Sequence, residues 1–278
     1  MLKLLRYLKL RAYMFAGKAN KALLGVNAVA VIAHNKDGLF ATDPEDMGVG
    51  QELRKLGAYR EKELQRVLSY IDNNDNVLIV GTHVGAMVIP FAKRCKAVAA
   101  IEANPDTFAL LEMNLRLNDA HNVQAYNIAA SDKAETIDFV SSRTNSGGAK
   151  RMPKVRDFRY FYDSPETIAV PAYPLDEYLK DQTFSLVFMD IEGSEYFALK
   201  GMQNILAKAQ TLSVEFIPHH LRNVSGIGPR DFLDLIAPHF EHLLIPTLNT
   251  RVTKDGFLPA LQKMFDQDQV DDGLIFTK

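Results

Sequence analysis

The feature that most restricts the fold lies between residues 77 and 102. Val77 to Val80 is a short apolar run ending at Gly81, Ala86 to Lys96 reads as a helix, and Ala97 to Ile101 is a second apolar run ending at Glu102. Two strands joined through a helix must lie parallel and cross over in the right-handed sense, so this unit commits the chain to an α/β architecture. The alternation then continues. Pro105 opens a helix through Asn118, Val123 to Ala129 reads as a third strand, and Thr136 to Val140 as a further short one. Phe184 to Asp190 and Leu212 to Ile217 follow, separated by one helix from Ser194 through Lys208, and His239 to Pro246 and Gly273 to Thr277 supply closing strands. The expected fold is α/β, a mostly parallel sheet with helices on both faces. Residues 1 to 60 form a smaller, less regular N-terminal cap, and residues 61 to 278 form the domain. Residues 141 to 173 are polar, basic and aromatic, and read as a long loop or lid of the kind that carries function.

The turn Gly81-Thr82-His83-Val84-Gly85, with Glu102 closing the next strand, has the layout of a nucleotide site in which the acid holds ribose hydroxyls. A dinucleotide fingerprint needs a second glycine for close approach of the pyrophosphate, and that position here is His83. S-adenosylmethionine has no phosphate and needs only a tight turn and an acid, so the loop favours a methyl donor over NAD. The stretch Asp190-Ile191-Glu192-Gly193-Ser194-Glu195 places three carboxylates where a strand turns into a helix. Open α/β sheets bind ligands at the carboxyl ends of their strands, which directs Asp190 at a site. The plainer reading has Glu192 and Glu195 complementing the helix dipole with Ser194 as the cap.

These segments together resemble the FkbM family of S-adenosylmethionine-dependent methyltransferases. The resemblance runs from the Gly81 turn through Glu102-Ala103-Asn104-Pro105 and Ala129-Ala130-Ser131-Asp132 to Met189-Asp190-Ile191-Glu192-Gly193-Ser194-Glu195, then Leu199-Lys200-Gly201 and Val214-Glu215-Phe216. It implies a Rossmann-like methyltransferase fold in which Gly81, Thr82, His83, Gly85, Ala103, Asn104 and Asp190 surround the cofactor, with Glu102 on its ribose and the Ser131-Asp132 turn beside its adenine. The chain departs from the family pattern at Ile79, where an acid is usual, and at His83, where Asn is usual. Family members typically methylate hydroxyl groups of sugars or natural products, which implies O-methyl transfer to such an acceptor.

An alcohol needs a base as it attacks the methyl group. Asp190 is the first candidate, with Glu192 and Glu215 as neighbours. His219 and His220 follow closely enough to serve as base or ligand, or they lie in a surface loop. A divalent metal such as Mg²⁺ on Asp190 and Glu215 is a second route. Arg143, Asn145, Lys150, Arg151, Lys154, Arg156 and Arg159, interleaved with Phe158, Tyr160, Phe161 and Tyr162, suit the acceptor. The competing classes are a binding protein that has lost catalysis and an NAD-dependent enzyme.

A net charge of -2 gives no global field for nucleic acid, and none is expected as a partner. The single cysteine, Cys95, excludes an internal disulfide and fits a reducing, cytoplasmic compartment. Residues 1 to 15 alternate apolar residues with Lys3, Arg6, Lys9 and Arg11, a basic amphipathic helix that packs on the domain or touches an anionic membrane. The uncharged run from Ala22 to Asn35 is shorter than the about 20 residues a bilayer requires.

Overall fold

A computed structural model describes residues 2–278, with side chains from Tyr7 onward; Met1 and the side chains of Lys3 and Arg6 lie outside the described residues. The central sheet has eight strands in the order 250–253, 242–245, 271–277, 211–216, 186–189, 76–80, 97–101 and 123–126. The last five in that order are parallel. Asp271–Thr277, His242–Ile245 and Thr250–Thr253 add an antiparallel edge. The central strands are apolar throughout because both faces are covered. Leu78, Val80, Val187 and Met189 pack on one face with the helices after residue 194, while Val77, Ile79, Leu186 and Phe188 pack on the other against Leu64, Phe91 and Leu111. Ile79, the departure from the family pattern, is thus a core residue.

The chain starts its parallel sheet at 76–80, builds outward to 123–126, then returns to lay 186–189 against the other side of 76–80. The order reverses between those two strands, and the crevice at such a switch point is where ligands sit in open α/β sheets. The Gly81 turn follows one of them and the Asp190 turn follows the other. Both turns depend on glycine. Gly81 has φ +88, and a Cβ there would fall 1.9 Å from the carbonyl oxygen of Asp190, so no side chain fits where the two turns meet.

Several expected elements are corrected. The helix over Ala86 to Lys96 shrinks to Val88–Ala92, with Pro90 inside it. The third strand splits after Tyr126, and Ala129–Ala130 leaves the main sheet for a second, four-stranded one. Residues 141 to 173 are not one continuous loop. Glu166 to Ala172 pairs with Glu135–Ser141, Lys150–Arg151 adds to the other side of Glu135–Ser141, and Phe158–Phe161 is a helical turn. Burial of Val170 and Ala172 between exposed neighbours is the period-two signal of that strand. The N-terminal cap is regular, with a helix at Leu2–Leu24, a hairpin of Val31–Asn35 with Gly38–Thr42, and a helix at Val49–Leu56. It shares a core with the domain through Phe40, Val49, Leu53, Val84 and Ile89. Asn114 fixes the hairpin by donating to the Ala41 carbonyl and accepting from its N–H.

The single helix expected from Ser194 to Lys208 is two, Glu195–Lys200 and Gln203–Lys208, broken at Gly201. Gly201 has an ordinary φ of -88, but a Cβ there would sit 2.0 Å from the Ser131 carbonyl oxygen and 3.0 Å from Pro174 Cα. Both are backbone atoms that cannot rotate away. Gly201→Ala is therefore expected to destabilise the fold by about 1–3 kcal/mol, the usual cost of overpacking, read as a lower urea midpoint with an unchanged slope.

Candidate functional site

One cavity of about 290 Å³ lies over the switch point, walled by Gly81, Thr82, His83, Glu102, Ala103, Asp190 and Glu192. The cap closes its far side with Glu52, Tyr59 and Arg60. Glu102 is the best-anchored acid in it. Its carboxylate accepts the N–H of His83 at 2.8 Å and that of Asn104 at 2.9 Å. Burial nevertheless pushes the carboxyl up to about 7, against the pull of those N–H groups. A strand-end carboxylate in that position, beside a turn with room for no side chain at Gly81, fits a ribose.

His83 takes the left-handed conformation at φ 50, strained for a residue other than glycine. Its Nε2 lies 2.7 Å from Ser146 Oγ, which donates to Asp46 Oδ2 at 2.9 Å. Asp46 also accepts the N–H groups of Gly48 and Gly50. With Ser146 donating to Asp46, the imidazole holds its proton on Nε2, and burial pushes its pKa down so that it stays neutral. The turn, the cap and the 141 to 173 segment are thus joined through one chain of hydrogen bonds.

Four residues expected at the cofactor lie off the cavity wall. Gly85, at φ +90, packs against Leu111. Asn104 caps the helix Pro105–Leu117, accepting the Asp106 N–H at 3.0 Å, and is buried away from the cavity wall. Ser131 bonds Glu135 at 3.0 Å and Asp132 pairs with Lys200 at 2.8 Å, so neither lines the cavity; Ile128, Ala129 and Ala130 do. The cause is the departure of Ala129–Ala130 from the main sheet, which carries the following residues away from the cavity, Ser131 into a buried position.

In the acid turn, Glu195 is structural. Its Oε1 accepts the N–H groups of Ile191 at 3.1 Å and Gly193 at 3.2 Å, while the expected cap, Ser194, makes no side-chain cap bond. Asp190 is paired with Arg60 at 3.0 Å. Burial pushes Asp190 up to about 6, with Arg60 working the other way. Glu192 adopts φ 57 and meets Lys150 Nζ at 2.8 Å. Burial works against its charge, but Lys150 and His220 outweigh it and hold the carboxyl down at about 2.

A second cavity of about 200 Å³ adjoins, lined by Lys150, Arg159, Tyr160, Glu192, His219 and His220 among others. His219 Nδ1 lies 2.9 Å from Tyr160 Oη, and the His pair is part of this wall instead of a surface loop. His220, buried, sits 3.5 Å from Glu192 and 3.6 Å from Glu215. Glu215 lines neither cavity and stands behind His220; burial beside Asp190 and Glu192 drives its carboxyl well up. Glu192, Glu215 and His220 present ligand atoms within 4.8 Å of one another, a donor set that fits a divalent cation. Arg60 and Asp46 carry no signal in the sequence; Lys150 and Tyr160 belong to the basic and aromatic run.

Residues 80–243 match the family described as methyltransferase FkbM domain. Over 191 residues the chain is 22% identical to 2-O-methyltransferase NoeI of Sinorhizobium fredii, covering 64% of this chain and 77% of that protein. Over 88 residues it is 30% identical to a probable cobalt-precorrin-6B C(15)-methyltransferase (decarboxylating) of Methanobrevibacter smithii, covering 31% of this chain and 47% of that one. A solved FkbM methyltransferase from Methylobacillus flagellatus KT superposes with a TM-score of 0.44 at 19% identity, over 74% of this chain and 44% of that one. The matched part is therefore under half the length of those last two proteins. The family match spans the Gly81 turn, Glu102, the acid turn and the strand carrying Glu215, and the chain belongs to the methyltransferase FkbM domain family.

Proposed function

We propose that the protein is an S-adenosylmethionine-dependent O-methyltransferase acting on a hydroxyl of a sugar, glycan or natural product. The observation that carries this reading is that Glu192 lines both cavities, so a donor over Glu102 and a hydroxyl among Lys150, Tyr160 and His219 meet at one carboxylate. The first cavity holds the donor through Glu102 at the ribose and the Gly81 turn. Bound there, S-adenosylmethionine supplies an electrophilic methyl group. Tyr160 and His219 position the acceptor, and Arg159 suits an anionic group on it. As the hydroxyl oxygen forms its new bond, its proton becomes far more acidic than any carboxylic acid. Even a carboxylate held at about 2 then accepts it downhill, which makes Glu192 the proton acceptor. Asp190, tied to Arg60, positions the turn and the cap. The relative described as a 2-O-methyltransferase supports a hydroxyl acceptor. The direct test is transfer of labelled methyl groups to a panel of hydroxyl-bearing saccharides. Label in a base-stable ether is expected, whereas base-labile label, or donor binding with no transfer, sinks the reading.

A divalent cation among Glu192, Glu215 and His220 is the second reading, favoured by their proximity. Lys150 already supplies a positive charge to Glu192 at 2.8 Å, so turnover is expected to survive chelation. Loss of activity with EDTA and its return with Mg²⁺ or Mn²⁺ would favour the cation instead.

A further inference from the structure

We infer that the helix Leu2–Leu24 docks this protein on an anionic phospholipid surface. The charge of the chain is strongly divided. Residues 1–36 hold seven Lys and Arg and no Asp or Glu, leaving 25 Lys and Arg against 34 Asp and Glu in the remainder. At 3.6 residues per turn, Leu10, Met14, Gly17 and Lys21 fall on one stripe of the helix. That stripe faces the protein. Gly17 is buried where a Cβ would sit 2.4 Å from the Glu45 carbonyl oxygen, and Lys21 pairs with Glu45 at 3.4 Å.

The opposite stripe is Leu8, Ala12, Phe15, Ala19 and Leu23, spaced as one continuous apolar row. Among these, Leu8 is 54%, Phe15 75% and Leu23 87% exposed. The row continues beyond the helix in Val26 and Val29, which are also exposed. Arg11 and Lys18 flank it on one side and Lys9 on the other. An apolar stripe bordered on both sides by cations suits a bilayer interface, where acyl chains take the apolar residues and lipid phosphates meet the long basic side chains. No helix among the described residues is long and apolar enough to cross a membrane, so this contact is in-plane. On the inner stripe, Leu10 lines the cavity of Glu192 and His219, about one helix diameter from the docked row. That last link, which rests on the acceptor reading above, makes a hydroxyl carried at the membrane surface the favoured acceptor class.

The test is sedimentation of the full chain with vesicles of phosphatidylcholine, with or without phosphatidylglycerol. Binding is expected only to the anionic vesicles and is expected to fall with added salt. Phe15→Glu combined with Leu23→Glu should reduce it more than tenfold. Arg11→Gln combined with Lys18→Gln should reduce it roughly 25-fold, about fivefold per lost charge. Both variants change exposed residues, so unchanged circular dichroism and S-adenosylmethionine affinity are expected, and these separate a failure of docking from a failure of the methyltransferase reading. Equal binding to both vesicle types overturns the inference. So does wild-type binding by the Phe15 and Leu23 variant, or a dimer in light scattering that this variant abolishes, which would assign the stripe to a second copy.

Discussion

Glu192→Gln is expected to lower turnover about 10²–10⁴-fold, the usual loss when a group that accepts a proton in the transition state is removed. The substitution keeps the shape and one acceptor oxygen but removes the charge facing Lys150 and His220. Donor affinity should change only a few-fold, because Glu102 and the Gly81 turn are untouched. Asp190→Asn is the informative partner. Asp190 lines the donor cavity alone and holds Arg60, so its replacement leaves that guanidinium with Glu63, 3.4 Å away. Its effect should appear mainly in thermal stability and donor affinity. Turnover lost in Asp190→Asn but kept in Glu192→Gln would return the proton-accepting role to Asp190.

Glu102→Gln should weaken S-adenosylmethionine binding by about 1.5–3 kcal/mol, or roughly 10- to 150-fold, since a charge-assisted pair of hydrogen bonds becomes a neutral one. It should also change two pH profiles. The folded-state carboxyl lies near 7, above its ordinary value of 4.5, so the folded protein holds a proton there that the unfolded chain has released. Stability from this group is full below about 4.5 and is lost as pH rises to about 7. Glu195 and Glu63, each pushed up to about 7 by burial, act in the same direction. The unliganded wild type should therefore lose stability between pH 5 and pH 8. In Glu102→Gln that loss should be smaller by about 1–3 kcal/mol, measured by urea denaturation at both pH values. Donor affinity should rise over the same interval in the wild type, as the carboxylate ionises, and stay flat in the variant. An unchanged affinity by calorimetry would remove Glu102 from the ribose.

The sequence made the parallel core legible because its strands are uninterrupted apolar runs punctuated by Gly81, Glu102 and Asp190, signals that need no long-range information. Apart from Thr136 to Val140, it made the second sheet illegible for the opposite reason. Lys150–Arg151 and Ala129–Ala130 are two-residue strands, too short for any periodicity, and charged residues between 141 and 173 mask the alternation at Val170 and Ala172. The site divides in the same way. Gly81, Glu102 and the acid turn follow from position at strand ends. Arg60 and Asp46 come from the cap, and only tertiary packing brings them to Asp190 and Ser146. The sequence leaves Glu195 open because a carboxylate after a turn serves equally as a ligand-facing acid or as an acceptor for its own backbone, and spacing does not separate the two.

The second sheet also bears on how such a protein diversifies. Its member Ala129–Ala130 pairs with two residues of Glu166–Tyr173, and the segment between its long strands carries Asn145, Lys150 and Tyr160. Under the proposed reading, donor recognition belongs to the ends of the central strands, where neighbouring backbones leave no room for a Cβ at Gly81. Under the same reading, acceptor recognition sits on the segment between the long strands of the second sheet, outside the central strands. A change of hydroxyl partner is then open to exchange of the other side chains between residues 142 and 165, provided Ser146 and Lys150 stay to hold His83 and Glu192.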